Sequence, residues 1–520
     1  MNPNILIINL DSMRADAMGH LGNPAAHTPT LDTLAQEGVS FRSAFCQNPV
    51  CVPSRCSFMT GLYPHVHGHR TMGHLQQPWE ENLFSDFKAA GYRTVSSHRG
   101  DLMAGQYPDY HNTLIDEYIK VWPKKPMKYY FPPHEPGDNS FLNGIVPDEY
   151  ARDMDDLIVE GAVCSIRKNA ARRQPFFMFV GLMLPHPPYQ IERKYYDLID
   201  PAKLPPRVPT LQDSDGKPLM ERGLRDNLAV DESKFGDIRR TYLAMCAKAD
   251  DQIGMLLEAL KAAGISDDTA VLVFSDHGDY TGDFGLVEKS QNCFPDCLVR
   301  VPLLIKPPRD TKIKSGVNDS LAELTDIAAT CAELAGITIE RPHFSRSLLP
   351  VMQNGASGAH REFVCCEGGR LPGEPQASEF ENVDPKDHYY PRLSLQGRED
   401  GTHGKAVMLR TKEYKYVRRT QEADEFYDLA KGESQNLIDD PAYAGEIAQA
   451  KQWMLDWLIS TCDVVPTQVD SRFSLSLLKN GMRALKLPGG PLGSLLGIYL
   501  RLAKQSPGQF LRRLQGKVNK

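Results

Sequence analysis

Asn4-Ile5-Leu6-Ile7-Ile8-Asn9-Leu10-Asp11 is a nearly unbroken apolar run that stops on a carboxylate. Two later stretches repeat the form: Phe176 to Leu184 runs into Pro185-His186, and Ala270 to Phe274 into Ser275-Asp276-His277. Short apolar runs without polar alternation suit strands buried on both faces of a mostly parallel sheet. Leu243, Cys246, Ala249, Ile253, Leu256, Leu257 and Leu260 recur at helical spacing just ahead of the third run, so helices are expected between strands. Ligand sites in open α/β sheets lie beyond the carboxyl ends of strands, which would bring the three polar termini to one cleft. The expected fold class is therefore α/β, a large mixed, mostly parallel sheet flanked by helices, spanning residues 1–355.

The texture changes after Gly355. Short strands are expected at Ala406 to Leu409 and Tyr414 to Val417, followed by the Glu425-Phe426-Tyr427-Asp428-Leu429 run and an amphipathic helix around Ala444 to Ile459. Residues 356–465 then form a smaller C-terminal α+β domain. Residues 466–520 form a basic amphipathic tail: from Ser471 to Lys520 there are ten Lys/Arg and no acidic residue, with a break at Leu487-Pro488-Gly489-Gly490-Pro491. Such a tail can meet an anionic membrane surface or an acidic partner, or pack on the protein's own acidic body.

Composition narrows the class. With 520 residues, 41% hydrophobic and 24% charged, the chain can bury a large core. A net charge of -7 gives no reason to expect a nucleic-acid partner. Eleven cysteines without framework spacing, and an N-terminus lacking a basic leader, lead to the expectation of reduced thiols in a cytoplasmic protein. No stretch reaches the roughly 18 apolar residues of a membrane span.

Cys51-Val52-Pro53-Ser54-Arg55, with Thr60-Gly61 five residues on, has the Cys-x-Pro-x-Arg spacing that permits enzymatic oxidation of the cysteine to Cα-formylglycine. Alone, that spacing reads better as an ordinary cysteine beside a turn-forming proline. Its company decides otherwise. Asn4 to Asp11, Thr28 to Ala35, Cys51 to Gly68 (ending Tyr63-Pro64-His65-Val66-His67-Gly68), Pro185-His186-Pro187-Pro188-Tyr189, Ser275 to Asp279, Gly285-Leu286-Val287-Glu288-Lys289, Thr325 to Thr330 and Tyr427-Asp428-Leu429 occur in this order. Together they resemble the type I, formylglycine-dependent sulfatases of the alkaline phosphatase superfamily, over most of residues 4 to 460.

The resemblance implies an alkaline phosphatase-like fold, a formylglycine at position 51 made by a formylglycine-generating enzyme, and one divalent cation, Ca2+ or Mn2+. Its implied ligands are Asp11, residue 51, Asp276 and His277. The aldehyde hydrate offers two geminal hydroxyls: one attacks sulfur and displaces the alcohol, and the other drives collapse to the aldehyde and expels sulfate. The cation lowers the nucleophile's pKa and neutralises charge on the sulfuryl oxygens. Arg55 is expected to orient the hydrate, Lys289 to bind a non-bridging oxygen and share a proton with the leaving group, and His186 to donate to the ester or protonate the departing alkoxide. His67 is expected to hydrogen-bond near substrate, and His65 has no assigned role.

Two departures matter. Ser12 stands where many sulfatases have a second aspartate, which moves the ligand set toward relatives that hydrolyse phosphonate monoesters and phosphodiesters, as does His277. At Ser97-His98-Arg99-Gly100-Asp101-Leu102, Arg99 replaces a family lysine and Asp101 a family histidine. Arg99 can clamp an oxyanion. Asp101 is then the base for intermediate breakdown or a binder of substrate hydroxyls, and His98 competes for the role. The leading expectation is hydrolysis of a small-molecule or carbohydrate sulfate ester. The alternatives are a phosphonate monoester hydrolase or phosphodiesterase using the same aldehyde, and a non-catalytic binder of sulfated ligands or membranes. The Trp122 to Tyr130 cluster suits a polyanionic or sugar ligand, or a surface loop.

Overall fold

The structure is a computed structural model describing residues 2–97, 101–119, 121, 130, 138–355, 360–379 and 384–465. His98, Arg99, most of the Trp122 to Tyr130 cluster and the 466–520 tail lie outside the described residues. Residues up to Ile337 and His343–Val464 form one compact unit. Thr338–Pro342 and Val465 belong to a second.

Nine strands make the large sheet among the described residues. Asn4–Leu10 is central, paired in parallel with Thr269–Ser275 on one side and Phe176–Gly181 on the other. Beyond Phe176–Gly181 come Arg93–Ser96 and Glu117–Tyr118, both parallel. Beyond Thr269–Ser275 lies Leu303–Lys306, antiparallel to both of its neighbours, then Val39–Phe45 and the parallel Gly316–Glu323. Ile5, Leu6, Ile7 and Ile8 are wholly buried, as their unalternated pattern requires, and each contributes roughly 1.5–3 kcal/mol of burial. The expected helix ahead of the third run is Phe235–Ala262.

The second apolar run leaves the sheet earlier than its composition suggests. The strand ends at Gly181 rather than Leu184. Met183 and Leu184 donate their backbone N–H groups to the buried Asp155 carboxylate at 2.7–2.8 Å, so a side chain replaces the missing ladder partner.

The C-terminal region builds its own antiparallel sheet from Val364–Gly368, Ala406–Arg410, Tyr414–Arg419 and Glu425–Asp428. The helix Ala444–Thr461 covers it through Ile447, Ala450, Met454 and Trp457, which share a core with Tyr63, Leu409, Tyr416 and Phe426. Two carboxylates join the sheets. Glu323, on the large sheet, takes the Tyr63 hydroxyl at 2.6 Å and the Cys365 N–H at 2.8 Å. Asp296 takes Arg410 and Lys415 of the small sheet at 2.8–3.2 Å. None of the eleven cysteines is disulfide-bonded. Among the described residues no helix is long and apolar enough to cross a membrane.

Candidate active site

Register brings the first polar termini together. Leu10 stands opposite Ser275, so the next residues, Asp11 and Asp276, emerge side by side at the carboxyl edge of the sheet. The chain turns sharply at both points. Ser12 has φ 70°, and Gly278 lies so close to the Cys297 carbonyl that a Cβ would come within 2.0 Å of its oxygen. No side chain fits at Gly278. His277 is thereby pressed into the site, fully buried.

Cys51 reaches the same point from the first turn of the helix Cys51–Thr60, all ten residues of which are buried. The helix ends at Gly61 in the left-handed region, φ 70°, with its N–H on the Ser57 carbonyl. Its position is pinned by Ser54, whose hydroxyl donates to the Asp276 carbonyl at 2.6 Å, and by Arg55. The Arg55 guanidinium donates from Nε to Asp276 Oδ2 and from Nη2 to Asp11 Oδ2, both at 2.7 Å, while Nη1 lies 3.6 Å from Asp101. Burial opposes its charge, but Asp276 and Asp11 outweigh that and hold it protonated. Its planar fork thus braces two buried carboxylates that would otherwise repel.

Each carboxylate keeps its Oδ1 for the other face. Asp11 Oδ1 and Asp276 Oδ1 lie 3.6 and 3.8 Å from His277 Nε2, which is 3.1 Å from Cys51 Sγ. Ser12 serves these oxygens: its hydroxyl donates to Asp11 Oδ1 at 3.0 Å and its N–H to Asp276 Oδ1 at 3.4 Å. His277 Nδ1 sits 2.8 Å from the Gly278 carbonyl and therefore carries the ring proton, and burial lowers the pKa of the ring. The Nε2 lone pair then points toward carboxylate oxygens, an arrangement that calls for a cation. Donor atoms of Asp11, Cys51, Asp276 and His277 all lie within 4.8 Å of one another, and this three-oxygen-or-sulfur, one-nitrogen set fits a divalent ion. Burial and Asp11 push the Cys51 thiol well up, so an unmodified residue is a poor thiolate nucleophile.

Lys289 and His186 form the opposite wall. Lys289 donates from Nζ to His186 Nε2 at 3.0 Å and pairs with Glu288 at 2.6 Å. His186 Nδ1 donates to the Pro187 carbonyl at 2.6 Å. Burial opposes the Lys289 charge, but the Glu288 and Asp11 carboxylates keep it protonated. The structure thus gathers Asp11, Cys51, Arg55, Asp101, His186, Asp276, His277 and Lys289. His67 is held by Glu80 at 2.6 Å, and no described contact joins it to Cys51. His65 bridges Glu367 and the Thr461 carbonyl, tying this segment to the small sheet.

Sequence reading missed a supporting layer. Glu288 is faced by Arg392, 3.5 Å away, which also donates to Glu379 at 3.2 Å. Tyr389 lies beside them, its hydroxyl pKa raised by burial and by Glu288. Tyr189 donates to Asp279 at 2.7 Å and accepts the Glu288 N–H at 3.0 Å. Nothing around Tyr389 or Arg392 marks them in the sequence.

The family model described as Sulfatase matches residues 3–337. The chain is 28% identical over 447 residues to the ulvan-active sulfatase of Formosa agariphila, covering 85% of this chain and 78% of that protein. It is 26% identical over 524 residues to the multifunctional alkaline phosphatase superfamily protein PehA of Trinickia caryophylli, covering 88% and 96%. The phosphonate monoester hydrolase of Agrobacterium radiobacter superposes with a TM-score of 0.69 at 21% identity, over 88% of this chain and 96% of that one, and so shares the fold. With a family match over well more than half its length, the chain belongs to the sulfatase family of the alkaline phosphatase superfamily and is a sulfuric ester hydrolase.

Proposed function

We propose that the enzyme cleaves a small-molecule or carbohydrate sulfate ester to an alcohol and inorganic sulfate, with Cys51 converted to formylglycine and one divalent cation held by Asp11, residue 51, Asp276 and His277. The observation that carries this reading is the convergence of those four donors against the Lys289–His186 pair. The Cys51 sulfur stands in for the formylglycine oxygens. When bound, the cation would supply Lewis acidity toward the nucleophile and the sulfuryl oxygens. Formylglycine would supply a second hydroxyl, and with it a route for releasing sulfate that serine lacks.

The chain's own groups do the rest. Arg55 holds both carboxylates aimed into the site. Lys289 presents a buried positive charge to a non-bridging sulfuryl oxygen. His186 accepts a hydrogen bond from the Lys289 ammonium at Nε2, so Lys289 is the proton donor of this pair and is placed to pass a proton to the leaving alkoxide. Asp101, on Arg55, supplies a carboxylate at the partly open side of the site for substrate hydroxyls or for the return step.

Ser12 and His277 favour a second reading, hydrolysis of phosphonate monoesters or phosphodiesters at the same site. Comparing kcat/KM on matched aryl sulfate and aryl phosphonate monoesters decides between them. The expected result is a preference for sulfate of about tenfold or more, roughly 1.4 kcal/mol of transition-state discrimination. A dominant phosphonate activity would reverse the assignment.

A further inference from the structure

A second histidine–carboxylate cluster lies outside the site described above. Glu80 is buried and directs Oε1 at two imidazoles: His67 Nδ1 at 2.6 Å and His69 Nε2 at 3.1 Å. Its other oxygen is occupied by the Gln77 N–H at 2.6 Å, so the carboxylate cannot swing away without losing that bond. His69 is buried, and its Nδ1 lies 2.7 Å from the His74 carbonyl. A carbonyl only accepts, so Nδ1 carries the hydrogen and a neutral ring leaves its lone pair on Nε2. That lone pair faces Glu80 Oε1, itself an acceptor, and the buried Nε2 makes no hydrogen bond.

Two acceptors turned toward one another need a proton or a metal ion between them. Burial opposes a charge on the ring, but Cys56 and Glu80 push the His69 pKa well up, so a proton fills the gap until a metal ion replaces it. A histidine whose Nδ1–H is fixed by a backbone carbonyl is the usual form of a metal-ligating histidine, because the outer bond fixes both tautomer and ring angle. The three donor atoms lie within 4.8 Å of one another. Bonds of about 2.0–2.1 Å to a tetrahedral ion would set the donors roughly 3.3 Å apart, a small expansion of the observed cluster. The His67 side chain is 31% exposed, which leaves an entry path and a position for water.

We propose that His67, His69 and Glu80 form a second metal site, distinct from the Asp11–Cys51–Asp276–His277 site, taking a zinc-class transition ion. Two imidazole nitrogens and one carboxylate select such an ion over calcium or magnesium, which prefer oxygen donors. Its effect is to clip the loop between His67 and Glu80. That loop donates from Met72 N to Glu379 at 3.2 Å, and Glu379 in turn holds Arg392, the partner of Glu288 beside Lys289. The ion therefore stiffens the outer wall of the catalytic site without touching it. The proposal does not depend on the chemistry assigned to Cys51.

The test is metal stoichiometry on the full chain, stripped with chelator and titrated with Zn2+ by calorimetry and with Co2+ by absorption. Wild type is expected to bind two equivalents. Asp276→Ala should retain one, with the intense visible bands of four-coordinate Co2+. His69→Ala, and independently His67→Ala at the exposed ring where misfolding is not a concern, should lose that equivalent and those bands. A wild type binding a single equivalent that Asp276→Ala abolishes, or His67→Ala and His69→Ala proteins with wild-type circular dichroism and unchanged stoichiometry, would overturn the proposal and leave a protonated histidine as the bridging cation.

Discussion

The Asp11–Cys51–Asp276–His277 cluster and the His67–His69–Glu80 cluster use one device in two settings. Both fix an imidazole by giving its Nδ1 proton to a backbone carbonyl, of Gly278 in one and His74 in the other, so that Nε2 faces carboxylate oxygen. The first is assembled from strand ends and a helix far apart in sequence, is wholly buried, and carries its own counter-charge in Arg55. The second comes from a single loop, is open at His67, and has no arginine on its carboxylate among the described contacts. The difference teaches what a built-in cation does. Arg55 gives two buried aspartates a charge partner whether or not a metal is bound, whereas Glu80 relies on what lies between it and its histidines.

The largest expected effect breaks the chemistry of the first cluster while keeping its shape. Cys51→Ser should lower kcat on an aryl sulfate by on the order of 10³-fold or more, because one hydroxyl cannot expel sulfate by forming an aldehyde. Multiple turnover at the wild-type rate would refute the covalent scheme. Next, Asp276→Ala should cut kcat/KM by on the order of 10²-fold and remove one metal equivalent. Elemental analysis showing unchanged metal content would take Asp276 out of the site.

A smaller effect sharpens the comparison from a third carboxylate. Asp296 has three cations supplied by the protein, Arg410, Lys415 and, at 3.6 Å, Arg300, and so needs no ion. Asp296→Asn should leave metal stoichiometry unchanged and cost about 2 kcal/mol of stability by leaving Arg410 without a carboxylate and Lys415 with Glu433 alone. Burial opposes its ionisation, but Arg410 and Lys415 hold its pKa well below the ordinary value. A depressed folded pKa stabilises above the unfolded value of about 3.9, and that stabilisation is lost as pH falls toward the folded one. Urea titrations at pH 7 and pH 3 should therefore show a smaller wild-type-to-variant gap at pH 3. An equal gap would mean the ionised carboxylate is not what joins the sheets.

Legibility followed sequence distance and periodicity. Asp11 and Asp276 were readable because each directly follows a buried apolar strand, and their adjacency follows from the Leu10–Ser275 register. Arg55 was readable as a site residue, but its fork on two carboxylates was not, since those partners come from distant strands. Met183 and Leu184 read as strand because hydropathy does not reveal that Asp155 captures their backbone donors. Arg392 and Tyr389 act across the fold from a stretch with no motif. The His67–His69–Glu80 cluster is short-range yet was missed as a unit. Its meaning lies in the His74 carbonyl that fixes the His69 tautomer, and no spacing encodes that.

The central claim, an aldehyde catalyst at the meeting point of Asp11, Asp276 and His277, is tested most directly by the mass of the peptide carrying residue 51. The protein should be made alongside a formylglycine-generating enzyme and assayed on an aryl sulfate from the same preparation. The account predicts loss of sulfur and two hydrogens with gain of one oxygen, in a fraction that tracks specific activity. A fully active preparation in which residue 51 remains an unmodified cysteine would contradict it.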